Sequence, residues 1–180
     1  SLRTRNAAAY KGIAALILDG GARDWMEDKA LDKVQYVDLA VDIHHIFPQK
    51  WCNDTGIDDE HRESIVNKTA ISARTNRTIG GVAPSSYVSV IESRAQLEPS
   101  RLDDLLGTHL VPADALRADD FDRFFRERRE HLCRLVESAI GKNVQRDIDA
   151  GFAQEDSAQF EPEAVIDHDI DAEAPAGSEV

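Results

Sequence analysis

Two stretches decide how this chain is read: Asp42-Ile43-His44-His45-Ile46-Phe47-Pro48, and Asn67-Lys68-Thr69-Ala70-Ile71-Ser72-Ala73-Arg74-Thr75-Asn76-Arg77. Along an extended strand the side chains alternate. Asp42 and His44 therefore share one face and His45 takes the other, until Pro48 turns the chain. Adjacent histidines at a strand end can divide the work of a site, one holding a metal while the other reaches a substrate. Taken alone, such a pair is weak evidence, since neighbouring histidines are more often surface or core residues. The second stretch adds Asn67 and Asn76, placed on either side of a short strand candidate over residues 68–72. Asn is disfavoured inside strands and is kept for turns or for specific hydrogen bonds. Its amide oxygen is also a hard, neutral ligand suited to magnesium.

Working outward, residues 34–46 are rich in β-branched and aromatic side chains and lack helical periodicity, so part of this segment is expected to be a strand ended by Pro48. A polar connector with Asn53-Asp54 and Asp58-Asp59-Glu60 follows, then the second strand, then a short helix over Ala73–Ile79 that Gly80-Gly81 terminates. The order strand, loop, strand, helix occupies about residues 34–81 and is embedded among helices. Helical spacing predicts one helix over 4–18, with Tyr10, Ile13, Ala14 and Ile17 inward and Gly20-Gly21 as its stop. Others are expected over 84–95, burying Tyr87, Val88 and Ile91, and over 100–108, lined by Leu102, Leu105 and Leu106. The clearest runs over 120–140, where Phe121, Phe124, Phe125, Leu132, Leu135 and Val136 form a stripe that Arg128 interrupts. Its other face carries Arg123, Arg126, Arg129 and Arg134 among acids, the pattern of a solvated face laced with i,i+4 pairs. The fold class expected is mainly α with a small strand–strand–helix unit.

The 180 residues suffice for one domain of ordinary size or for one domain with an appendage. The net charge of −13 is unevenly placed: residues 147–180 hold eleven acids and no Lys or Arg, leaving 23 of the 34 acids to balance all 21 bases. The body is close to neutral, so the overall charge does not argue against nucleic acid as a partner. Residues 147–180, rich in acid, Ala, Pro and Gly, are expected to be disordered; a DNA-mimicking or partner-binding arm is the functional alternative. Two cysteines, Cys52 and Cys133, cannot make a four-thiolate zinc site and suit a reducing compartment. No apolar run approaches the ~20 residues of a membrane span. The opening SLRTRNAAAYKGIAALILDGG has the basic, apolar look of an export signal, but Tyr10 and Lys11 interrupt it and no small-residue cleavage site ends it. Ser1 in place of an initiator Met points to a piece of a longer chain.

DIHHIFPQKW followed by IVNKTAISARTNRTIGG resembles the HNH, or ββα-metal, nuclease motif. The likeness is closest to the DUF1524-type HNH domain found at the C-terminal end of DUF262-containing restriction and phage-defence proteins, such as the GmrSD-like and phosphorothioation-sensing nucleases. It is also similar to the HNH domain of CRISPR effector nucleases. The motif covers about residues 41–88, and the helical surroundings extend the likeness to most of residues 2–142. The resemblance implies that His45 is the general base, that His44 is a metal ligand, that Asn67 braces the loop and orients the catalytic histidine, and that Asn76 supplies the second metal ligand. Many family members place a carboxylate at a metal position; here His44 and Asn76 are both neutral, and Asp42 could supply the missing charge. The implied activity is cutting or nicking of double-stranded DNA with Mg²⁺ (or Mn²⁺) and without zinc, in a bacterial cytoplasm, with an upstream DUF262-type domain as partner and no membrane.

The chemistry follows from the residue types. Neutral imidazole with an ordinary pKa near 6.5 can take a proton from water at pH 7. A divalent cation would offset charge on the phosphate and on the leaving oxygen. Lys50, Lys68, Arg74 and Arg77 lie within the motif and form a candidate DNA-facing edge. His61, His109, His131 and His168 read instead as surface, packing or tail residues. Two other classes stay open: a nucleic-acid-binding module with a degenerate site, and a helical interaction domain with incidental histidines.

Overall fold

The structure is a computed structural model that describes residues 2–31 and 43–144, with side chains described from residue 8 in the first segment and from His44 in the second. The chain divides into two units, Ser1–Val144 and Gln145–Val180, and every described residue belongs to the first. Residues 34–42 of the expected first strand, with Asp42, and the acidic segment 147–180 lie outside the described residues.

Among the described residues, mainly helical architecture surrounds one two-stranded antiparallel sheet. Helix α1 spans Leu2–Asp19, and β1 (Ile43–His45) pairs with β2 (Lys68–Ala70) in the register Ile43 opposite Ala70, His44 opposite Thr69 and His45 opposite Lys68. Between the strands the expected polar connector is instead largely helical: α2 (Gln49–Thr55), α3 (Asp59–Glu63) and a 3₁₀ turn over Ile65–Asn67. Each piece has its own stop signals. Gly56 closes α2 at φ +79°, the left-handed region that glycine enters without a Cβ penalty, and Asp58 caps α3 by accepting from the His61 amide. β2 is shorter than the expected 68–72, because Ser72 leaves the strand to cap the next helix, its side chain accepting from the Thr75 amide.

That helix, α4 (Ala73–Ile79), completes the strand–strand–helix order. The chain then enters α5 (Pro84–Ala95), α6 (Pro99–Gly107), α7 (Ala113–Arg117) and α8 (Phe121–Ile140). Proline opens α5 and α6 at the helix start, where its missing N–H is not needed. Asp120 caps α8 and Gly141 ends it in the left-handed conformation.

The main core gathers Ile46, Phe47, Tyr87, Ile91, Leu102, Leu105, Leu106, Leu116 and Phe124, all wholly buried. Phe47 is its hub, with ring centroids 4.8 Å from Phe124, 5.2 Å from Phe121 and 5.1 Å from Trp51. A smaller cluster of Ile17, Leu18, Ala22, Val66 and Leu132 joins α1 to α8 and the 3₁₀ turn. The face of α8 read as solvated carries the i,i+4 pairs Arg123–Glu127 at 2.8 Å and Arg134–Glu130 at 3.0 Å.

Candidate active site

His45 is fixed from its C-terminal side. The next two residues, Ile46 and Phe47, are fully buried, so the strand end cannot move without opening the core. Their main chain is tied down as well. The Ile46 amide donates to Asn67 O at 2.9 Å, and the Tyr87 hydroxyl donates to Ile46 O at 2.9 Å. Asn67, itself wholly buried, bridges two segments of backbone. Its Oδ1 accepts from the Phe47 amide at 2.8 Å, while its Nδ2 donates to Phe47 O and to Arg62 O, each at 3.0 Å. One side chain thus joins the chain after β1 to the end of α3.

The pleat sorts the two histidines. His45 stands opposite Lys68 on one face, and His44 opposite Thr69 on the other. On the His45 face, the Glu63 carboxylate lies 3.2 Å from His45 Nε2 and accepts from Lys68 Nζ at 2.9 Å, Gln49 Nε2 at 2.8 Å and Arg62 Nε at 3.0 Å. Burial lowers the pKa of His45 from its ordinary value; the Glu63 charge opposes this without overcoming it, so the ring is neutral at pH 7. Burial raises the pKa of Glu63, but hydrogen bonds from Lys68, Gln49 and Arg62 outweigh it and hold the carboxyl far below the usual carboxylate range.

On the other face, His44 is half-buried with Nε2 shielded from solvent. Thr69 lies 2.8 Å from His109 Nδ1, and His109 Nε2 lies 2.8 Å from Arg23 O. A carbonyl can only accept, so Nε2 of His109 carries the proton and Nδ1 receives the Thr69 hydroxyl. His109 sits in the turn after α6 and is wholly buried; burial pushes its pKa down to about 4. It is a packing residue, edge-on to Trp25 at 5.5 Å.

Asn76 lies half-buried in α4, whose start is secured by Asp24. Asp24 is buried and accepts from the Ser72 amide at 2.8 Å and the Thr75 hydroxyl at 2.7 Å. Burial raises the pKa of Asp24, but the bonds from Thr75 and Ser72 prevail and leave it lowered. Arg74 and Arg77 are exposed on the same helix. The two lysines of the expected DNA edge differ from them: Lys50 pairs with Asp54 at 2.7 Å, and Lys68 is engaged by Glu63 and lies over the Tyr10 ring at 5.9 Å.

Among the described residues no group of three or more His, Cys, Asp or Glu is placed to hold a metal. The donors His44 and Asn76 offer one nitrogen and one neutral oxygen, a set that accepts a divalent cation best when a carboxylate is added. Asp42, the residue proposed for that charge, lies outside the described residues. A cavity of about 380 Å³ lined by Gly107, Leu110, Val111, His131, Arg134 and Leu135 includes none of these site residues.

Sequence reasoning missed three residues that build the site. Glu63 belongs to an acid-rich connector in which one acid looks like another. Asp24 acts across 48 residues, to Ser72. Arg128, wholly buried, donates through Nη1 to Val66 O and, at 2.9 Å, to Lys68 O, and through Nη2 to His109 O at 3.2 Å. Its interruption of the apolar stripe was the one legible signal.

Comparison with known proteins places this chain beside a protein of Methanocaldococcus jannaschii named "Uncharacterized protein MJ0686", 33% identical over 87 residues. The match covers 48% of this chain and 14% of the archaeal protein. No family model and no solved structure matches the chain. Among the described residues no helix is long and apolar enough to cross a membrane.

Proposed function

We propose that this chain is a metal-dependent DNA endonuclease or nickase domain of the HNH, DUF1524 type, the effector part of a modification-sensing restriction or anti-phage protein. The observation that carries the reading is His45: a neutral imidazole at a strand end, anchored by buried neighbours and by the Asn67 brace, within a strand–strand–helix unit. In this reading His45 takes a proton from the water that attacks the phosphodiester. Asn67 holds the strand end in place, so the ring need not reorganise as the proton moves. Arg74 and Arg77 lie exposed on α4, whereas Lys50 and Lys68 are each engaged by a carboxylate; the two arginines would meet flanking phosphates. His44, Asn76 and Asp42 would hold Mg²⁺ or Mn²⁺, which supplies charge stabilisation at the phosphate and at the leaving oxygen. The substrate is double-stranded DNA, and recognition of modified DNA belongs to an upstream DUF262-type domain.

The experiment is relaxation of supercoiled plasmid by the chain with Mg²⁺ or Mn²⁺, beside His45→Ala. Cation-dependent nicking or linearisation that His45→Ala loses supports the reading. DNA binding without cleavage under either cation favours the degenerate binding module instead.

A further inference from the structure

Glu63 has no role in the motif, yet among the described residues it is the carboxylate that contacts His45. Its surroundings are one-sided. Oε1 accepts from Gln49 and Arg62, Oε2 accepts from Lys68, and Oε2 also faces His45 Nε2 at 3.2 Å. Arg and Lys can only donate, so this carboxylate is ionised and has no proton to offer. The contact with His45 is therefore made by a proton on Nε2, and the ring's lone pair is left on Nδ1.

The placement of both partners comes from one amide. Asn67 Nδ2 bonds to Phe47 O, two residues after His45, and to Arg62 O, one residue before Glu63. Lys68, which holds Glu63 Oε2, is the cross-strand partner of His45 in the sheet register. Gln49, at the start of α2, closes the other side. The carboxylate is thus positioned by three separate elements around the ring it faces.

We propose that Glu63 is a positioning residue that holds His45 as the Nε2–H tautomer and aims Nδ1 at the attacking water. The inference rests on the nuclease reading for its catalytic meaning, but the tautomer is a property of the folded chain alone. The first test is ¹⁵N NMR of the full chain at neutral pH, with His45→Ala to assign the ring signals. A pyrrole-type Nε2 and a pyridine-type Nδ1 are expected, and a proton on Nδ1 overturns the proposal. The second test is Glu63→Ala, at a side chain that is 39% exposed. A mixture of tautomers is expected, together with a ~10–100-fold fall in kcat, part of the ~10²–10⁴-fold that a general base supplies, while KM for DNA stays within about twofold. A folded Glu63→Ala chain with wild-type kcat and tautomer overturns the proposal. If His45→Ala still cuts DNA, the nuclease reading falls, whereas the NMR measurement continues to decide the role of Glu63.

Discussion

Replacing Asn67 by Ala would strand the Phe47 amide and the Arg62 carbonyl at once, and would leave the Phe47 carbonyl only the weak Cys52 thiol donor at 3.5 Å. Each buried group left without a partner costs ~1–3 kcal/mol, so Asn67→Ala should lose about 3 kcal/mol or more of stability by denaturant unfolding, and cleavage with it. His45→Ala should separate the two properties. Its ring is 20% exposed and faces a surface carboxylate, so stability should change little while cleavage falls ~10²–10⁴-fold. Equal stability losses in the two variants would contradict this division. The histidines also set a pH dependence. Burial lowers the pKa of His45, so the acid limb of kcat/KM should lie at a pH lower than the ordinary histidine value. A bound cation would push in the same direction. His109 is held at about 4, so the unfolded chain binds its proton first as the pH drops. The stability it confers is whole above pH 6.5 and is lost as pH falls toward 4, on the order of 3 kcal/mol in all. Urea unfolding at pH 7 and at pH 4 checks this, and equal stability at both would refute it.

Helices were legible where their punctuation was strong. Gly80 and Gly141 end α4 and α8 where the sequence places those stops, and Pro84 opens α5. By contrast, α2 and α3 were read as a connector because they are short and polar: α2 buries only Cys52, and α3 buries nothing, so neither carries a periodic apolar signal. The residue type of Asn67 pointed only to a turn or to specific hydrogen bonds, and its bracing role was implied by the resemblance, whereas Glu63 is brought to His45 by a turn of chain. Asp24 belongs to this scale too, because it links the loop before residue 31 to the start of α4. Asp24→Ala would leave the Ser72 amide and the Thr75 hydroxyl without their acceptor. A loss of about 3 kcal/mol is expected, since bonds to a charged acceptor contribute ~1.5–3 kcal/mol each. Asp24 has a lowered pKa, so its contribution is present above pH 3.8 and disappears as the carboxyl is protonated in stronger acid. Unchanged unfolding of Asp24→Ala at neutral pH would show that α4 is held by other contacts.

Across the whole molecule, one cation joins elements that the sequence keeps far apart. Arg128 of α8 donates to carbonyls of the 3₁₀ turn, of β2 and of the turn after α6, at sequence separations of 62, 60 and 19 residues. Arg128→Met keeps a similar apolar stem but leaves those carbonyls without this donor, so it should cost about 3 kcal/mol and slow the proposed cleavage. Stability equal to that of the starting chain would deny the clamp its importance. The same bonds impose an order on synthesis. A nascent chain can emerge with His44, His45, Asn67 and Lys68 already outside the ribosome, yet the carbonyls beside β2 have no donor until α8 follows. Polypeptides released before Arg128, whether by premature termination or by cleavage within the later helices, carry the histidines without the strut that holds their strand pair. For a proposed DNA-cutting domain, fragments that retain the motif would lack this strut.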